Sequence, residues 1–127
     1  MTNAEDQGRP TGQTVEIVFP QHLNHHGTLF GGEALRMMDS AAFIAATRRA
    51  RRTMVTVGVE RVAYEAPVRH GEIVEVAATV VDVGRSSLTA EVEMIAEVLL
   101  SGERRRCGHG RFAFVAVDDD GRAVPID

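Results

Sequence analysis

An α+β fold, with a curved antiparallel sheet wrapped around one long helix, is what the sequence predicts, and three observations predict it. One proline-free stretch rich in Ala, Leu and Met, Gly31 to Arg49 (GGEALRMMDSAAFIAATRR), has the composition of a helix. Four segments of β-branched residues follow it and one precedes it. With strands dominating and the single long helix apolar over more than a turn, the economical packing lays the sheet around the helix.

The elements follow in order. Residues 1 to 13 mix Gly, Pro, Asn, Gln and charges without hydrophobic period and read as a frayed tail, leaving 14 to 127 as a single domain. Thr14 to Phe19 (TVEIVF) alternates like a short strand, which Pro20 ends because it has no amide for the ladder. Gln21 to Phe30 reads as a loop. The helix from Gly31 is apolar on nearly all sides between Ala41 and Ala46 and is therefore expected to be mostly enclosed. Arg48, Arg49, Arg51 and Arg52 gather at its C-terminal end, where the macrodipole and the last free carbonyls favour cations.

Beyond the helix, Met54 to Tyr64, Glu72 to Val83, Ser87 to Leu100 and Arg111 to Val117 read as strands, separated by breaks at PVRHG, GRS and SGERRR. Glu91 and Glu93 against Val92 and Met94 alternate as one solvated sheet face requires. A five-stranded open sheet leaves long edges that invite pairing with a second copy, so a dimer or a higher even multiple is expected.

Composition narrows the chemistry. The 14 basic and 18 acidic residues leave a net charge of −4, which gives little counterion release on nucleic acid, so neither DNA nor RNA is expected as a partner. All the basic residues are arginine, so a Schiff-base lysine and a P-loop lysine are excluded. Cys107 is alone, which rules out an intrachain disulfide and a cysteine-rich zinc site and fits a reducing compartment. The polar N-terminus lacks an apolar signal core and no eighteen apolar residues run together, so the expectation is a cytoplasmic protein with no membrane partner.

Asp39 is the residue that asks for an explanation. Leu35 and Phe43 are its neighbours on one helical face, and a carboxylate in apolar surroundings must be paired, hydrogen-bonded or used as a base. The bland alternative is a surface ion pair with Arg36, three residues away. Gly31 and Gly32 open the helix, where free amides and bare backbone could polarise a carbonyl. From Gly31 to Asp39 is roughly 12 Å along the helix, too far for one chain to grip a single carbonyl with both. If the two serve one reaction, the second half comes from another subunit.

Three segments together, Asn24 to Asp39 (NHHGTLFGGEALRMMD), Val83 to Ser87 (VGRSS) and Phe114 to Arg122 (FVAVDDDGR), resemble the hotdog-fold acyl-CoA thioesterases over nearly the whole chain after the tail. The pattern N-x-x-G-x-x-x-G-G followed by Met-Asp is the specific part. This resemblance implies that Asp39 acts as general base or nucleophile and that Asn24 of a partner subunit positions water or thioester. It also implies that Gly31 and Gly32 polarise the carbonyl and that Arg85, Ser86 and Ser87 meet the nucleotide and phosphates of coenzyme A. A guanidinium and two hydroxyls suit phosphate oxygens on chemical grounds as well. No resident cofactor or metal is implied, since coenzyme A belongs to substrate and product. The assembly implied is a homodimer, a trimer or a pair of dimers. The sequence departs from relatives at His22, often an aspartate there, and at His25 and His26, often smaller or amide residues.

Other readings compete. His22, His25 and His26 share a loop but match no zinc spacing. No serine sits in a G-x-S-x-G elbow. A non-catalytic acyl-CoA binding module on the same fold has no use for a carboxylate beside a thioester. A hydratase of this fold class needs an acid–base pair at a carbon–carbon double bond, and no histidine precedes Asp39 at close helical spacing. Cys107, read as a small buried residue, is given no role.

Overall fold

The computed structural model describes residues 11–127. Its elements are β1 (Thr11–Ile17), a short 3-10 turn at Pro20–His22, α1 (Gly31–Ala50), β2 (Thr53–Tyr64), β3 (Ile73–Val83), β4 (Ser87–Glu97) and β5 (Arg104–Val117). The five strands form one antiparallel sheet in the order β1-β3-β4-β5-β2, and α1 packs across it. This is the hotdog layout expected from the strand and helix pattern.

The core lies between α1 and the sheet's inner face. Met37, Met38, Ala41, Ala42, Ala45 and Ala46 are fully buried against Val74, Val76, Met94, Phe112 and Phe114. Small alanines let the sheet close on the helix, while methionines fill the irregular gaps. The helix ends at Arg51, which takes the left-handed conformation at φ 52° and donates its amide to the Thr47 carbonyl. Arg48 donates to the Thr11 carbonyl and Arg49 forks onto Asp127, so the arginine cluster is structural, as expected.

Three boundaries differ from expectation. β1 starts at Thr11, so the domain takes in 11 to 13, and the rest of the expected tail, 1 to 10, lies outside the described residues. The reason is Gly12, which looks like a chain breaker but lets β1 cross α1 closely: a Cβ there would collide with the Ala41 carbonyl and come 2.7 Å from the Ala45 nitrogen. β5 starts at Arg104 rather than Arg111, because the arginine run is paired across strands: Arg104 with Glu75 and Glu97, Arg105 with Glu72, and Arg106 with Glu65. β4 ends at Glu97, where Gly102 at φ 77° helps turn the chain.

The helix is also less enclosed than expected. β2 is an edge strand, and beside it Phe43 remains 46% exposed, while Val55, Val57 and Val59 along the strand are exposed as well. A long edge with uncovered apolar side chains is the kind of surface that a second chain covers. Among the described residues no helix is long and apolar enough to cross a membrane.

Candidate active site

Asp39 sits on the side of α1 that faces β2 and is half-buried rather than sunk in the core. The expectation of wholly apolar surroundings is thus corrected, because the protomer leaves that side of the helix open. Its Oδ1 accepts a hydrogen bond of 2.8 Å from the Thr56 hydroxyl on β2. The bland surface pair does not form: Arg36 instead holds Glu16 at 2.8 Å and Glu33 at 3.2 Å. Among the described residues Asp39 is therefore a carboxylate without a cation, held in place by one neutral donor and with its other lone pairs unspent.

At the helix start, Phe30 is the N-cap and supplies no side-chain cap. Its carbonyl takes the amides of Glu33 and Ala34, and among the described residues neither the Gly31 nor the Gly32 amide donates a backbone hydrogen bond. Two free donors at the positive pole of a helix make an anion-receptive mouth. The Tyr64 hydroxyl, from the far end of β2, donates to the Gly31 carbonyl at 2.9 Å, and its ring covers the Gly31 backbone. Gly31 also borders a cleft of about 270 Å³ that runs in toward Met94 and Cys107. Cys107 is buried, as expected, and burial pushes its thiol up to about 11.

Asn24 belongs to the same end. Its Oδ1 accepts the amides of His26 (2.9 Å) and Thr28 (3.2 Å), while its backbone amide donates to the Thr28 carbonyl at 2.8 Å. Nδ2 spends one proton on the Thr28 hydroxyl at 3.1 Å and retains a second. Asn24 thus shapes the loop ahead of the helix with Gly27, whose φ of 80° the turn requires. His22 is structural, since its Nδ1 accepts the Phe19 amide at 3.0 Å. His25 and His26 stack on each other at 4.1 Å. Among the described residues no three His, Cys, Asp or Glu side chains come together as a metal site.

Arg85, Ser86 and Ser87 turn from β3 into β4, closed by the Gly84 amide on the Ser87 carbonyl. The Arg85 and Ser86 carbonyls accept the amides of Ile126 and Ala116, so the C-terminal segment pins the turn from behind. Arg85 is exposed, and among the described residues it has no ion pair. Thr56 pairs with Phe114, which pairs with Leu88, so the turn lies about two strand spacings, roughly 10 Å, from the Asp39 anchor. The chain therefore divides the expected residues into two groups: Asn24, Gly31 and Gly32 at one end, Asp39 with the Arg85–Ser87 turn toward the other. Thr56 and Tyr64 were not singled out from the sequence, because Thr and Tyr are ordinary strand residues.

With this geometry in place, similarity to known proteins becomes informative. The model of the thioesterase superfamily matches residues 26–101. The chain belongs to that family. An acyl-CoA thioester hydrolase of Bacillus subtilis that is itself described as uncharacterized, YkhA, is 38% identical over 109 residues. The match takes in 86% of this chain but only 63% of the Bacillus protein, so the chain spans less than two thirds of that relative. Among solved structures, the acyl-CoA hydrolase of Staphylococcus aureus in complex with butyryl coenzyme A superposes with a TM-score of 0.85 at 29% identity, covering 93% of this chain and 72% of the other. Asparagine-to-alanine and aspartate-to-alanine variants of that hydrolase, at positions fifteen apart, have also been solved. An Asp-to-Ala mutant of a hexameric broad-specificity acyl-coenzyme A thioesterase superposes with a TM-score of 0.87 at 32% identity, covering 90% of this chain and 84% of the other. The resemblance read from the Asn24 to Asp39 segment is borne out at the level of family and fold.

Proposed function

We propose that the protein hydrolyses acyl-CoA thioesters to free acid and coenzyme A, at sites shared between two copies of the chain. The observation that carries this reading is the pairing of an uncompensated carboxylate, Asp39, with unspent amides at Gly31 and Gly32, both beside the same exposed strand edge. In one chain they are too far apart to act together. Antiparallel pairing of two β2 edges about a two-fold axis near Glu60, midway between Thr56 and Tyr64, would bring Asp39 of one subunit toward Gly31 of the other. The same pairing would cover Phe43 and Val59, which lie on the helix side of the sheet with Thr56. Asn24 and Asp39 are also fifteen apart, the spacing of the two residues replaced in the Staphylococcus aureus hydrolase.

In this mechanism Asp39 takes a proton from water, whose oxygen attacks the thioester carbonyl. The Gly31 and Gly32 amides receive the oxyanion at the positive end of the helix, where fixed donors need no reorganisation. The remaining Nδ2 proton of Asn24 is available to orient water or thioester. Collapse breaks the carbon–sulfur bond, and the proton held by Asp39 neutralises the coenzyme A thiolate. Thiolate is a good leaving group, so carbonyl polarisation and one base suffice without a resident cofactor. Arg85, Ser86 and Ser87 bind the phosphates of coenzyme A. A cytoplasmic location, where acyl-CoA is made and the lone Cys107 stays reduced, goes with this reading.

Mixed subunits test it. Asp39→Asn and Asn24→Ala, each inactive alone, are co-expressed so that heterodimers form. A shared site predicts recovery of about a quarter of wild-type thiol release, since half the dimers are mixed and each has one intact site. No recovery in verified heterodimers would place the two residues in one chain's site and overturn the proposal.

A further inference from the structure

Resting on the reading that the helix-start amides hold a thioester carbonyl, we infer that the cleft beside Gly31 receives the acyl chain and that Met94 and Cys107 end it. The protein is then selective for uncharged acyl groups of about four to eight carbons. The cleft is lined by the Gly31 backbone, Leu29, Ala34, Ala66 and Val68, and by the buried Met94 and Cys107 on β4 and β5. Its volume of about 270 Å³ gives room for a short alkyl chain.

The walls are apolar and held in place. The Leu29 amide donates to the Val68 carbonyl at 2.7 Å, and a bridge joins Thr28 to Arg69. Arg105 reaches the Pro67 carbonyl at 2.6 Å while its other contacts clamp Glu72. The segment from Ala66 to Glu72 is thereby fixed from both sides, so the cleft cannot lengthen by a loop swinging away. Met94 is buried, and Gly108 on β5 lies opposite it.

Charge is excluded as well. Glu65 borders the cleft, but its carboxylate is engaged by Arg106 at 2.7 Å and His109 at 2.9 Å, and these partners, His109 foremost, hold it below the usual carboxylate range. The Cys107 thiol is neutral. Among the described residues no cationic side chain lines the cleft, and the nearby Arg105 is spent on Glu72 and the Pro67 carbonyl, so acyl groups ending in a carboxylate lose the transfer energy of burial and carry an unpaired charge. A straight alkyl tail fits instead.

The test is the profile of kcat/KM against acyl length, with acyl-CoA esters from four to sixteen carbons. In the wild type, each methylene should raise kcat/KM roughly fourfold up to about eight carbons, after which the profile flattens or falls. Met94→Ala should move that break to longer chains by two or three carbons. A profile rising unbroken to sixteen carbons, or a folded Met94→Ala variant with an unchanged break, would overturn the inference while leaving the thioesterase reading intact. If no acyl-CoA of any length is hydrolysed, it is the proposed function that fails.

A second readout does not depend on Met94→Ala folding. In the Asp39→Asn variant, which should keep its thioester intact, octanoyl-CoA is expected to slow alkylation of Cys107 by N-ethylmaleimide at mildly alkaline pH at least tenfold, and the thiol-free nucleotide moiety of coenzyme A to leave it unchanged. Equal rates with and without octanoyl-CoA would show that the chain lies elsewhere.

Discussion

Asp39 and Glu72 are both carboxylates held beside apolar surfaces, yet their surroundings are opposite. Glu72, just ahead of β3, is 7% exposed and accepts the Arg69 amide at 2.6 Å and both terminal nitrogens of Arg105 at 2.7 and 2.9 Å. Asp39 is half-buried, and among the described residues its one donor is Thr56. A saturated carboxylate with its own guanidinium is a fastener: every lone pair it can use is committed, and removing it leaves Arg105 unmatched. A carboxylate with one neutral donor remains available to a proton from outside. Their difference separates the group that holds the cleft wall from the group proposed to do the chemistry.

The largest expected effect breaks the comparison on the catalytic side. Asp39→Asn keeps the size and the acceptor for Thr56 but removes the base, so kcat for an acyl-CoA should fall by about 10²–10⁴ while the melting temperature stays within about 2 °C. Thiol release and a thermal melt measure both. A parallel loss of stability would make Asp39 another fastener.

Glu72→Gln is the mirror experiment. It should leave the proposed chemistry in place but cost about 1–3 kcal/mol of stability, because the buried Glu72 carboxylate gives up its charge-assisted bonds to the half-buried Arg105 guanidinium. The pH dependence has a definite sign. Arg105 first, helped by the Arg69 amide, holds the Glu72 carboxyl below its ordinary value. Its contribution is therefore present above about pH 4.3 and is lost as pH falls through the lowered folded value. Wild type and variant should differ most near neutrality and converge in acid, which denaturant titrations at several pH values would measure.

These two residues also show what the sequence could disclose. The aspartate in the helix and the glycines at its start were legible because composition there departs from an ordinary amphipathic helix. The sheet was legible from β-branched runs. Gly12 and the Arg104–Arg106 run were misread for one reason: residues that break or solvate a strand in isolation are strand residues when a neighbouring element supplies the close contact or the counter-charge. Thr56 and Tyr64 were invisible as site residues, since their significance comes only from the folding of β2 across both ends of one helical face. The cleft, built from residues on four separate elements, had no local signature.

Arg85→Ala sharpens the comparison further, because Arg85 is exposed and among the described residues has no ion pair, where Arg105 is spent on its own protein. The Michaelis constant for acyl-CoA should rise about tenfold, as for loss of one partly exposed charge-assisted hydrogen bond to phosphate. An acyl thioester without the nucleotide should be hydrolysed as before. Equal losses on both substrates would place Arg85 in the fold and not at the phosphates.

The smallest effect concerns Thr56, the single donor that distinguishes Asp39 from a free surface carboxylate. Thr56→Val keeps the shape of the side chain on β2 and removes only the hydroxyl, so stability should change by no more than about 0.5 kcal/mol. The bond ends on a half-exposed carboxylate, so its loss is worth about 1.5 kcal/mol, which corresponds to a fall in kcat of roughly tenfold with KM little changed, if the bond holds Asp39 in its working rotamer. Thr56→Ser restores the donor and should restore most of kcat. The serine control separates orientation of the carboxylate from packing at the subunit edge, because serine lacks the threonine methyl and still reaches Oδ1. Rescue by serine would make Thr56 a positioning residue, whereas equal losses in both variants would assign its contribution to the methyl group and the covered edge of β2.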